Sequence, residues 1–169
     1  MKRGICLGIS LVIALVHFDI KQPLWRSLSE QERNDAPVEI KAYIAGMTTE
    51  EFKLISAVVE AESDRSDSLE GKELIALTIL NRVESDNFPN TIKGVIAAGG
   101  QFQVYEQGTY KQVGRTDTSD EAVIEASFWI KTEHPAVVYF NSIGYNYLGT
   151  PYAYVDGNYF ETEEADNDK

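Results

Sequence analysis

The chain has 169 residues, a formal net charge of −12, and ordinary apolar (43%) and charged (25%) fractions. That length holds one domain plus a targeting segment, the composition argues against wholesale disorder, and the acidity argues against nucleic acid, which needs a Lys/Arg surface. The only cysteine is Cys6 and the only histidines are His17 and His134; no disulfide can form in the folded part, a zinc centre or a Ser-His-Asp triad would rest on His134 alone, and no metal or other cofactor is expected.

Met1-Lys2-Arg3 precede an apolar stretch from Gly4 to Phe18 that Asp19 ends. A basic start and a short apolar run make an export signal, and the run is shorter than the roughly 20 residues that span a bilayer. No small-x-small cleavage site follows, so residues 1–18 read equally as a cleaved signal or a retained signal-anchor. Either places the rest of the chain outside the membrane, because the basic residues stay inside. Residues 19–46 read as a linker with a short helix around Leu28 to Arg33, residues 47–160 as the domain, and 161–169 as a solvated acidic tail.

Thr48 and Glu51 fit a capping box that opens a helix running to about Glu62. At about 100° per residue, Glu62 falls within roughly 20° of Ile55 and 40° of Val58, on the apolar face. Glu60 falls in line with Lys53 and Ser56 and is expected to be solvated. A carboxyl group on an apolar face is partly desolvated, which raises its pKa and keeps the proton that a general acid needs. Capping or salt-bridging beyond the helix is the other reading of Glu62, and the helix geometry leaves the two open.

The next helix starts near Asp67 or Ser68 and continues through Leu74 to Leu80, apolar nearly all round, as a buried central helix would be. Asn81-Arg82 at its end read as satisfying the backbone carbonyls there. Thr91 to Ala97 reads as a short helix. Gly99-Gly100 lead into Gln101-Phe102-Gln103-Val104-Tyr105, amide and aromatic groups of the kind that line sugar sites, though composition alone favours a packed turn. Thr118 and Glu121 fit a second capping box, opening a helix to about Thr132. Val137 to Asn141 reads as a strand, and Tyr152–Val155, Asp156-Gly157, Asn158–Phe160 as a hairpin with an Asp-Gly turn. The fold class is α+β, mainly α, with a small C-terminal β-hairpin.

In order along the chain stand Ala61-Glu62-Ser63, Leu69-Glu70-Gly71, Ile79-Leu80-Asn81-Arg82-Val83, Phe88-Pro89-Asn90-Thr91-Ile92, Gly94-Val95-Ile96, Gln101-Phe102 and Val138-Tyr139-Phe140-Asn141. This succession, over about residues 50 to 145, resembles the SleB/CwlJ-type cell wall hydrolases, the spore-cortex-lytic family. The resemblance implies a lysozyme-like, lytic-transglycosylase-like domain whose catalytic glutamate is Glu62. It departs from the family at Asp64-Arg65-Ser66-Asp67-Ser68-Leu69, one residue longer than the usual Arg-Gly-Glu-Pro-Tyr segment, so Asp67 or Ser66 meets the family's second acidic position only approximately.

The expectation is therefore an extracytoplasmic enzyme that cuts peptidoglycan between muramic acid and glucosamine as a lytic transglycosylase. Glu62 would be acid and base, and Gln101, Phe102, Tyr105, Tyr139 and Asn141 would position the sugars. A water-using muramidase with Asp67 as second carboxylate is one alternative, and a non-catalytic peptidoglycan-binding protein another. The expected partners are glycan strands, and the membrane if the N-terminal segment is retained; a monomer is expected.

Overall fold

The structure is a computed structural model that describes residues 18–63, 68–130, 136–146 and 148–163. The chain divides into two units, residues 1–36 and 37–169. In the first, α1 spans Phe18–Ser27 and α2 spans Glu30–Asn34. Ser29 caps α2 through reciprocal bonds with Glu32, and the bonds donated by the Ser29 hydroxyl and amide hold the Glu32 carboxyl below its ordinary range. The expected short helix is thus α2, but a further helix precedes it. The expected export segment lies, apart from Phe18, outside the described residues. Among the described residues no helix is long and apolar enough to cross a membrane.

The second unit begins earlier than the sequence suggests. Residues 38–45, expected within a linker, form α3, Val38–Ala45, whose Ala42 and Ile44 are buried. Eight residues with no polar face show too little periodicity to stand out. Buried Lys41 ties α3 to α9, Asp117–Trp129, through Asp120 at 2.9 Å, and Arg115 approaches the same carboxylate at 3.3 Å. The cap of α9 is Thr116 with Ser119, not Thr118 with Glu121. A Thr and a Ser three apart satisfy the same two backbone donors, so the helix starts two residues earlier.

Helix α4, Thr49–Glu62, opens with the expected Thr48–Glu51 box. Its apolar face is fully buried at Phe52, Ile55, Val58 and Val59. Helix α5, Leu69–Glu84, is the central helix. Leu74 to Leu80 are buried throughout, and α5 packs most extensively on α9. Its cap is Ser68, whose hydroxyl accepts from the Gly71 amide; Asp67 lies outside the described residues. Three short helices follow: α6, Ile92–Ile96; α7, Gln103–Glu106; and α8, Tyr110–Val113.

The C-terminal part is a three-stranded antiparallel sheet rather than a separate strand and hairpin. Strands β1, Val137–Asn141, β2, Thr150–Val155, and β3, Asn158–Thr162, lie in the order β1-β3-β2. Asp156 (φ 52°) and Gly157 (φ 82°) make the tight turn between β2 and β3, as an Asp-Gly pair does in two-residue hairpins. Phe140 and Phe160 stack across β1 and β3 on the core face. Asn81 and buried Arg82, at the end of α5, do satisfy carbonyls, but those of β1. Asn81 donates to Val137 at 2.9 Å and Arg82 to Val138 at 2.6 Å. Burial pushes the Arg82 guanidinium down to about 10, and the rings of Phe88 and Phe102 lie 5.1 and 5.5 Å from it. The acidic tail is shorter than expected. Glu161 is wholly buried, and Glu163 accepts bonds from Ser85 and Asn87.

Candidate active site

The last turn of α4 delivers Glu62 to a cleft of about 450 Å³. Its neighbours explain why the helix ends there. Ala61 is small enough to be buried, and the Ser63 hydroxyl turns back to donate to the Glu60 carbonyl at 3.0 Å. Glu62 itself is half-buried, with Oε1 withdrawn from solvent. Around it the cleft is lined by Gln101, Gln103, Asn141, Asp156 and Asn158, which are amides apart from Asp156, with Ile75, Val104 and Phe140 as apolar wall.

Each polar group has a local reason for its place. Glu106 accepts from the Gly100 amide at 2.6 Å, which holds the turn that presents Gln101. Asn141 ends β1 and bends the chain, its Oδ1 accepting from the Ile143 and Gly144 amides at 2.9 and 3.1 Å. That pairing settles the orientation of the amide, leaving Nδ2 buried at the cleft and without a hydrogen bond among the described residues. A buried donor left in that state is costly unless a ligand takes it up.

Asp156 is the residue that sequence reasoning passed over, because its place in an Asp-Gly turn already accounted for it. Its carboxylate bonds to the Ser68 hydroxyl, 88 residues away. It also sits so close to Gly71 that any Cβ there would collide with it. The Gly71 of the Leu69-Glu70-Gly71 motif is thus the clearance for the Asp156 side chain, whose turn lines one side of the cleft.

Of the sequence candidates, Glu62, Gln101 and Asn141 meet at the cleft, and Phe102, Tyr105 and Tyr139 do not line it. Phe102 is wholly buried, with Phe140 at 6.1 Å and Arg82 over its ring, so it packs the core and cannot reach a sugar. Tyr105 stacks on Tyr110 at 5.2 Å. Tyr139 packs on Phe88 at 6.1 Å. Glu60 is not solvated either. It pairs with buried Lys72 at 2.9 Å and accepts from Thr116 at 2.6 Å. Both sides of α4 are packed, so its helical wheel has no fully solvent-facing flank at that point. Among the described residues no group of three or more His, Cys, Asp or Glu is arranged to hold a metal ion.

Comparison with known proteins gives this geometry a setting. Residues 66–153 match the model of the Cell Wall Hydrolase family. The chain is 36% identical over 98 residues to the spore cortex-lytic enzyme of Bacillus subtilis and 34% identical over 97 residues to that of Bacillus cereus. Each alignment covers 57% of this chain but 31% and 36% of those proteins, so the chain spans about a third of the length of the curated relatives it matches. Among solved structures, the catalytic domain of the germination-specific lytic transglycosylase SleB from Bacillus anthracis superposes with a TM-score of 0.58 at 24% identity, over 69% of this chain and 98% of that one. The catalytic domain of the Bacillus cereus SleB protein gives 0.58 at 25%, over 68% and 91%. The fold is therefore that of the lysozyme-like SleB catalytic domains. Glu62 lies just before the matched segment and Asp156 just after it, so their roles rest on the cleft itself. The match spans just over half of the 169 residues, and the chain belongs to the Cell Wall Hydrolase family.

Proposed function

We propose that this chain cleaves the glycan strand of peptidoglycan between muramic acid and glucosamine, outside the cytoplasm, as a lytic transglycosylase with Glu62 as acid and base. The observation that carries the reading is Glu62 half-buried at an open cleft whose other polar lining groups are mostly amides. Family membership and the relatives named above support it. A carboxyl group in that position can protonate the glycosidic oxygen as the C1–O bond breaks. The resulting carboxylate then takes the proton of the muramic C6 hydroxyl, whose oxygen closes on C1. No water enters, and the product ends in a 1,6-anhydro ring. Asn141 and Gln101 line the cleft and supply the amide groups that would hydrogen-bond the sugars.

One observation favours hydrolysis as a second reading, namely that the Asp156 carboxylate lines the same cleft. Two carboxylates flanking one bond is the arrangement that activates water. Asp156, however, is engaged by Ser68 and seated against Gly71, which suits it to holding the wall.

The test is release of dye from labelled sacculi by Glu62→Gln protein. The exchange keeps size and removes the transferable proton, so activity is expected to fall at least about 10²-fold with an unchanged melting temperature. Retained activity would remove Glu62 from the mechanism.

A further inference from the structure

The sheet carries a second feature beside the cleft. In the register, Asn141 of β1 stands opposite Tyr159 of β3, and Tyr159 stands opposite Tyr154 of β2. Directly opposed residues of antiparallel strands share a face, so Asn141, Tyr159 and Tyr154 form one row on the side away from the Phe140–Phe160 stack. The row starts at a cleft residue. It also lies immediately behind the Asp156-Gly157 turn, since Tyr154 and Tyr159 flank the cleft-lining Asp156, Gly157 and Asn158.

The tyrosines are held as a set. Tyr154 meets Tyr159 at 4.5 Å, and Tyr145 stands edge-on to Tyr159 at 5.0 Å. The loop that brings Tyr145 is anchored by buried Glu161, which accepts from the Asn146 and Gly149 amides at 2.7 and 3.3 Å. A wholly buried carboxylate used to pin a surface loop fixes the shape of this face. The loop after β1 and strand β2 also carry exposed large apolar side chains: Ile143 is 95% exposed, Tyr154 60%, Leu148 60% and Tyr152 44%.

We propose that Tyr159 and Tyr154 form an outer subsite for the continuation of the glycan strand whose scissile bond lies in the cleft. The proposal rests on the reading of the cleft given above. Three features select a sugar polymer as occupant. Tyrosine offers an apolar ring for the C–H face of a sugar and a hydroxyl for its polar edge. The row begins at Asn141, a cleft residue at the end of β1, so a chain leaving the cleft over that strand end meets the row. Two strand spacings, about 10 Å, separate Asn141 from Tyr154, a span comparable to a disaccharide.

The experiment compares wild-type, Tyr154→Ala and Tyr154→Phe proteins on long glycan strands and on a muramic acid–glucosamine tetrasaccharide. Tyr154→Ala is expected to lower the ratio of kcat/KM on long strands to that on the tetrasaccharide about tenfold, the scale of losing one aromatic contact. The loss should fall on KM, and Tyr154→Phe should retain most of the ratio. An unchanged ratio, or equal loss on both substrates, overturns the subsite. A wild-type protein that cleaves neither substrate fails the reading of the cleft. Co-sedimentation with insoluble peptidoglycan then decides the subsite, with weakened binding of Tyr154→Ala supporting it and equal binding overturning it. A concentration-dependent dimer that Tyr154→Ala abolishes would make the occupant a second copy and also overturn it.

Discussion

Glu62 and Glu60, two residues apart, show how differently one helix can use the same side chain. Glu62 reaches the cleft and Glu60 is spent on Lys72 and Thr116. Glu60→Gln therefore serves as more than a neutral comparison for Glu62→Gln. It removes the charge facing a buried ammonium, and is expected to cost about 1–3 kcal/mol. Wall cleavage by the folded fraction should remain. Denaturant titration of both variants checks this, and a dead but fully stable Glu60→Gln protein would reverse the assignment. Gly71 offers a second test. Gly71→Ala forces a Cβ against the Asp156 carboxylate and should turn that side chain away from Ser68, lowering activity at least several-fold. In an isolated helix the same change would stabilise. The position of Glu62 was legible because helical phase is a local property. The place of Asp156 in the lining of the same cleft was not, since nothing within a few residues of an Asp-Gly turn reports a serine 88 residues away.

At the level of elements, the long helices follow from their caps and apolar patterns, and the misses are where a polar residue does unexpected structural duty. Lys41 and Asp120 are 79 residues apart and both buried, a pairing that no window of sequence contains. It binds α3, in the segment that reads as linker, to α9. Breaking a buried pair strands the remaining charge. Asp120→Ala is therefore expected to lower stability by about 3–5 kcal/mol, measured by chemical unfolding. Loss of under about 1 kcal/mol would mean that α3 is held by apolar contacts alone. Arg82 belongs to the same class. Placed at the end of α5, it reads as a helix-terminal cation, yet it reaches the Val138 carbonyl of β1 and lies over two phenyl rings. Strand β1, which ends at the cleft-lining Asn141, is thereby tied to the end of α5.

Across the whole molecule, the succession of short motifs pointed to the family, and the family match and the superposed SleB domains agree with it. The aromatic candidates fared differently. Composition marks Phe102, Tyr105 and Tyr139 as sugar-binding types as readily as Tyr154 and Tyr159. Burial and ring contacts set Phe102, Tyr105 and Tyr139 against the core or their neighbours, while the register places Tyr154 and Tyr159 in a row that begins at Asn141. The central claim, that Glu62 works with the substrate's own hydroxyl in place of water, has one direct test: mass spectrometry of the muropeptides released from purified sacculi. The account predicts glycan ends of 1,6-anhydro-muramic acid, lighter by one water than hydrolysis products. Reducing muramic acid ends would contradict it and bring Asp156 forward as the second carboxylate, and reducing glucosamine ends would show that the other bond of the repeat is cut.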